Sequence, residues 1–222
     1  MDAVPRLELT GVPAQRYLPP ELQSSRIVVV SDFNCPYCFT LNEWLNALGM
    51  ASRVYWVGVE HKPHLPLEFS DTNQPDDVST LHHEVEDVKR RAPEVGVQLP
   101  PVWVNSRAAL LLQAAVEAEE PALAAPLRTA IFRRFWCEQA NIAHGHDLLA
   151  CEQQAGVPAD AERFRDAEQL ARISAWWREE LDRIPCMLAP SGARHLGLQD
   201  RPAVEAFVLG ALHDPPPGAS CR

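Results

Sequence analysis

Cys35-Pro36-Tyr37-Cys38 stands directly behind the apolar run Ile27-Val28-Val29-Val30. Two cysteines three apart at a strand-to-helix junction form a redox pair suited to thiol-disulfide exchange. Residues i and i+3 on a helix are neighbours with side-chain bases about 5–6 Å apart, near the separation a disulfide spans, so the bond opens and closes without refolding the chain. Pro36 suits the first helical position, where its φ is already helical and its missing N–H leaves nothing unpaired. That places Cys35 at the N-cap, its sulfur facing the free amides of the first turn. A helix N-terminus favours thiolate over thiol and brings cysteine from about 8.5 down to roughly 3.5–7.5. Cys35 is therefore expected to be the attacking thiolate. Cys38, one turn in and followed by Phe39, Leu41, Trp44, Leu45 and Leu48, is expected to be less exposed and to act as the resolving thiol. A zinc site made of cysteines alone needs a second close pair, and the chain has none.

The elements that must position this pair follow from apolar patterning. Residues 27–31 are a β-branched run without alternation, which predicts a strand buried on both faces in mid-sheet. A helix from Pro36 to about Leu48 ends at Gly49, and residues 54–59 read as the next strand, a β-α-β start with a right-handed parallel crossover. Helical patterning then persists for over a hundred residues, with helices expected at 78–92, 106–119, 122–140, 146–154 and 160–182. Asp77 and Ser79 before Leu81, and Asn105-Ser106 before Ala108, look like N-terminal caps. Strand character returns at 184–188, followed by the turn Pro190-Ser191-Gly192, a strand over 194–197 and a last helix over 201–212. The expected organisation is an extension over 1–25, an α/β unit split between 26–66 and 183–213, a helical insertion over 67–182, and a disordered Pro-rich tail over 214–222.

Net charge of −10 over 222 residues, with lysine only at Lys62 and Lys89, argues against a nucleic-acid partner. No apolar stretch reaches the length of a membrane span or a signal peptide, so the protein is read as cytoplasmic and membrane-free, a monomer or a homodimer. Six cysteines in such a chain do not make a disulfide scaffold. Cys137 and Cys151 are read as core thiols, and Cys221 belongs to the tail. His61, His64, His144 and His146 lack companions at metal-ligand spacing, so no metal is assigned. His61 and Lys62 follow the second strand and could face substrate. Asp32 either tunes the local pKa or serves as a turn residue. Trp103, Trp136, Trp176 and Trp177 are read as helical core and assigned to no site.

The order strand, Cys-x-x-Cys helix, strand, long helical insertion, Ile-Pro strand and terminal helix resembles the DsbA-like branch of the thioredoxin superfamily over about residues 26–212. Ser31-Asp32-Phe33-Asn34-Cys35-Pro36-Tyr37-Cys38 is similar to the opening of FrnE-like oxidoreductases, kappa-class glutathione transferases and 2-hydroxychromene-2-carboxylate isomerases. Ile131-Phe132-Arg133-Arg134-Phe135, Asn141-Ile142, Leu148-Leu149 and Ala155-Gly156-Val157 match the helical-domain pattern of that group. The resemblance implies a thioredoxin-like fold with an inserted all-helical domain. It also implies a cis-proline at Pro185, with Ile184 and Pro185 holding an extended substrate segment.

Three departures from the pattern bear on chemistry. Arg183 stands where relatives carry glycine, which would bring a cation towards the thiolate. Cys186 follows the proline directly, as a buried core thiol or as an alternative disulfide partner. Val29 replaces a buried acid, leaving Cys38 without an obvious proton acceptor. The implied function is a dithiol-disulfide oxidoreductase acting on a disulfide-containing protein or small thiol, with no tightly bound cofactor and with glutathione as a possible reductant. Two alternatives stand beside it: a glutathione-dependent transferase or isomerase, against which Cys38 argues, and a non-catalytic thiol or metal-binding partner protein.

Overall fold

The computed structural model describes residues 26–158 and 166–213. The extension over 1–25, the tail over 214–222 with Cys221, and the start of the helix expected at 160 lie outside the described residues. Strand β1 (Ile27–Ser31) is buried along its whole length. It pairs in parallel with β2 (Val54–Gly58) and antiparallel with β3 (Cys186–Leu188), which in turn pairs antiparallel with β4 (Arg194–Leu196), giving the order β2-β1-β3-β4. The unalternating Ile-Val-Val-Val run is thus a central strand with partners on both edges.

Helix α1 (Pro36–Ala47) leaves β1 through a short loop, with Pro36 in the first turn and Cys35 at the N-cap. It ends where Gly49 takes a φ of 67°, a left-handed conformation that glycine adopts without side-chain cost. Between β2 and β3 come α2 (Pro75–Arg91), a 3-10 turn (Pro93–Val95), α3 (Arg107–Glu119), α4 (Pro121–Trp136), α5 (Gly145–Ala155) and α6 (Ala167–Glu180). Helix α7 (Arg201–His213) closes the described chain. Helices α2 and α4 pack on α1, while α3 and α6 pack on β2. A Cβ at Gly58 would meet Leu110 Cδ2 at 2.6 Å, so glycine there is what lets α3 approach the strand.

Element edges depart from the sequence expectations for identifiable reasons. Helix α2 begins at Pro75, because proline rather than Asp77 opens it; Asp77 instead accepts from Lys62 Nζ at 3.1 Å and pairs with His64 Nε2 at 3.0 Å. Helix α4 stops at Trp136 and not near 140. The N–H groups of Cys137 and Glu138 turn back to the Arg133 carbonyl, and Gln139 takes a φ of 55°. Strand β3 starts at Cys186, two residues later than expected, after a proline with no N–H to offer a ladder.

The helices are tied to α1 by a buried cation. Arg128 on α4 donates through Nε to Asn42 Oδ1 at 3.0 Å and through Nη2 to the Ala51 carbonyl at 2.6 Å. Burial pulls its guanidinium down to about 10, against the opposing charge of Glu117. Arg128→Ala is expected to cost about 2–6 kcal/mol in urea unfolding, because it leaves two buried acceptors, Asn42 Oδ1 and the Ala51 carbonyl, without their donor at about 1–3 kcal/mol each.

A second buried group links stability to pH. His195 on β4 is buried beside Phe207, at 5.4 Å between ring centroids, and its Nε2 has no partner among the described residues. Burial holds its folded pKa below the ordinary histidine value, with Asp200 pulling weakly the other way. The unfolded chain therefore binds the extra proton first, so this contribution is complete above about pH 6.5 and is lost as pH falls through the folded pKa. His195→Phe should flatten that part of the stability-versus-pH curve, measured by urea midpoints between pH 5 and 8.

Candidate active site

Residues 32–34, which carry the chain from β1 into the cysteine pair, are fully buried and held from several sides. Trp136 Nε1 donates to the Phe33 carbonyl at 2.8 Å, and Trp103 Nε1 donates to the Asn34 carbonyl at 2.6 Å. Asn34 Nδ2 donates to the Val104 carbonyl at 3.1 Å, so the loop and the segment before α3 hold each other reciprocally. Phe33 packs between Trp56 of β2 and Phe132 of α4, with ring centroids 4.9 and 4.8 Å away. Trp103 and Trp136, expected only as core, are also hydrogen-bonding anchors of the loop before Cys35. The signal available in sequence was the need of any buried indole N–H for an acceptor, which names no particular carbonyl.

Asp32 is the hub of this loop. One carboxylate oxygen accepts from the His61 backbone N–H at 3.0 Å and meets His61 Nδ1 at 2.8 Å; the other accepts from Ser106 Oγ. Its backbone carbonyl accepts from the Cys35 N–H at 3.3 Å. Ser106 does stand at the N-cap of α3, but its hydroxyl serves Asp32 and makes no cap bond. Lys62 lies over the Trp103 ring at 4.6 Å and His61 lies beside it at 6.1 Å.

Cys35 and Cys38 are free thiols one helical turn apart at the start of α1, close enough that Cys38 acts on the ionisation of Cys35. Both are buried, at 3 % and 1 % exposure, so the expected contrast between an open and a shielded sulfur is small. The expectation of an acidic Cys35 is overturned. Burial pushes its thiol well above the ordinary cysteine value, and the neighbouring Cys38 and the Glu84 carboxylate push the same way. The Cys38 backbone amide does favour the thiolate, as a helix terminus should, but it is outweighed. Tyr37 donates to Asp87 Oδ2 at 3.2 Å, pinning the Pro-Tyr turn to α2.

The Ile184–Pro185 peptide bond is cis. Cys186 pairs with Val30, and continuing this register brings Pro185 level with Ser31 at the end of β1 that leads to Cys35. The Pro185 carbonyl accepts from the Gly197 N–H at 2.8 Å. Arg183 is exposed, its stem against Gly197, and the charges that act on Cys35 are those of Cys38 and Glu84, so the expected cation beside the thiolate is not the acting group. Cys186 is a buried thiol pushed up to about 12 by its burial. Glu84 on α2 carries no distinguishing signal in the sequence, where it is one acid within a helix of mixed charge. Among the described residues no group of three His, Cys, Asp or Glu side chains could hold a metal ion. No helix among them is long and apolar enough to cross a membrane.

Comparison with known proteins gives the same architecture. No curated protein matches in sequence. A structure described as a probable DsbA oxidoreductase from Streptomyces coelicolor superposes with a TM-score of 0.64 at 14% identity, covering 88% of this chain and 93% of that one. A 2-hydroxychromene-2-carboxylate isomerase superposes at 0.60 with 15% identity, covering 84% and 95%. The cytosolic disulfide reductase DsbM from Pseudomonas aeruginosa, with GSH, superposes at 0.54 with 18% identity, covering 85% and 99%. At such identities these likenesses establish the fold alone. The family model for the DSBA-like thioredoxin domain matches residues 26–175, and by that match the chain belongs to the DsbA-like thioredoxin family.

Proposed function

We propose that this protein is a dithiol-disulfide oxidoreductase in which Cys35 attacks a substrate disulfide and Cys38 resolves the mixed disulfide. The observation that carries the reading is the pair of free thiols one helical turn apart at the start of α1, with β3 and the proline before it beside β1. Thiolate attack on a disulfide sulfur gives a mixed disulfide, and a second thiol within reach releases it. Ile184 and Pro185 are taken as the surface against which an extended substrate segment lies. The substrate class is a protein or small-molecule disulfide, and glutathione is the reductant to try first. The Pseudomonas reductase of similar fold was determined with GSH, which makes glutathione the natural probe.

Cys35→Ser is expected to abolish insulin reduction supported by glutathione or a dithiol. Cys38→Ser is expected to accumulate a mixed disulfide at Cys35, detectable as an added substrate mass that dithiothreitol removes. Absence of turnover in the wild type with both reductants would sink the reading. Activity towards a small electrophile that survives Cys38→Ala would favour a glutathione transferase instead. The electrostatics make a separate prediction: the ultraviolet thiolate absorbance that disappears in Cys35→Ser should rise only above about pH 8.5, the ordinary cysteine value. A midpoint near neutrality would show that the helix terminus outweighs burial.

A further inference from the structure

Burial of two thiols without a nearby cation raises the question of where the Cys35 proton goes. Asp87 of α2 accepts the Tyr37 hydroxyl at 3.2 Å, which fixes one face of α2 against the middle of the Cys35–Cys38 turn. Glu84 lies three residues earlier on that helix, hence on the same face one turn away. Its Oε2 is buried and has no hydrogen-bond partner among the described residues. A buried carboxylate oxygen left unpaired costs free energy that a purely structural role does not explain.

The surroundings of Glu84 are those of a group that exchanges a proton. On α1, Cys35 and Tyr37 lie within range of its charge, which pushes both upward. From the segment after β2 it faces His61 and Lys62, and on α2 itself His83, all three of which favour its ionised form. Burial outweighs them and holds the carboxyl above the usual range, which makes Glu84 a better proton acceptor than an exposed carboxylate.

We propose that Glu84 is the acid-base group of Cys35, taking its proton as the thiolate attacks and returning it to the first departing sulfur. This rests on the dithiol reading above. In the first step the Cys35 S–H proton passes to the Glu84 carboxylate. A bond then forms between the Cys35 sulfur and one substrate sulfur, the substrate S–S bond breaks, and the departing thiolate takes the proton from Glu84. In the second step Cys38 attacks the Cys35 sulfur, the second substrate sulfur leaves, and the Cys38 proton goes to it. Two electrons pass from the protein dithiol to the substrate, and Glu84 ends ionised as it began.

The test is the rate of mixed-disulfide formation with oxidised glutathione, followed by mass, in Cys38→Ser and in the same background carrying E84Q or E84D, from pH 6 to 10. With Glu84 present the proton moves within the site, so the rate should hold a plateau over the neutral range and fall at the acid end as Glu84 protonates. With E84Q the rate should climb about tenfold per pH unit and lie on the order of 10²-fold lower at pH 7, the lower end of what a positioned acid-base group contributes. E84D should restore the plateau. An E84Q profile with the shape and rate of its parent overturns the role of Glu84 alone. A wild type that reduces neither oxidised glutathione nor insulin overturns the dithiol reading and this role with it. If E84Q does not fold, the infrared difference between oxidised and reduced wild type decides: a carboxyl band that changes with the pair supports the role, and its absence overturns it.

Discussion

The carboxylate of Asp32 is fully buried at the point where β1 must turn into α1, and a charge in that position is tolerated only if its lone pairs are met. His61 supplies two of the contacts and Ser106 a third. Those two residues belong to the exit of β2 and the entry of α3, so satisfying Asp32 brings the strand end and the helical segment together over the loop that carries Cys35. The indoles of Trp103 and Trp136 complete the arrangement by taking the Phe33 and Asn34 carbonyls, which no ladder or helix would otherwise satisfy. The N-cap position of Cys35 thus depends on a network most of whose donors lie far away in sequence.

That network has an electrostatic consequence. A helix N-terminus lowers a thiol pKa when the sulfur is also wet or beside a cation; here the sulfur is at 3 % exposure and its charged neighbour is an acid. Desolvation scales with how completely water is removed, while one backbone amide contributes a single hydrogen bond, so burial wins. The same fold can hold thiolates of very different acidity because the strand and helix that present the sulfur do not by themselves determine what surrounds it.

The sequence was readable where the controlling interactions are local. The unbroken Ile-Val-Val-Val run predicts a central strand, Pro36 predicts the helix start, Gly49 its end, and Pro190-Ser191-Gly192 the turn into β4, and each element stands where its residues require. It was opaque where partners are distant. Asp77 and Ser106 have the composition of caps, yet Asp77 is occupied by Lys62 and His64, and Ser106 by Asp32. Arg183 is next to Ile184 in sequence but turns its stem to Gly197, whereas Glu84, about fifty residues from Cys35, acts on it. Charge near a thiol is set by which helix face packs there, and periodicity names the face without naming its neighbour.

Val29 fills the place on the central strand where the resemblance implies a buried acid, and its neighbours in this chain are apolar. It is opposed by Trp56 on one side and Met187 on the other and is buried at 2 % exposure, so a carboxylate there would have apolar cross-strand neighbours. Helix α2 can supply an acid at lower cost, since its opposite face is in water and the histidine and lysine at the end of β2 already lend positive charge to that side. Helix α1, leaving the central strand, presents the two sulfurs, and the inserted region supplies Trp103, Ser106, Trp136, Asp87 and Glu84 around the loop and turn that carry them. A change of chemistry in this fold then needs no change in the cysteine motif: altering which side chains α2 and the segment before α3 turn towards it is enough.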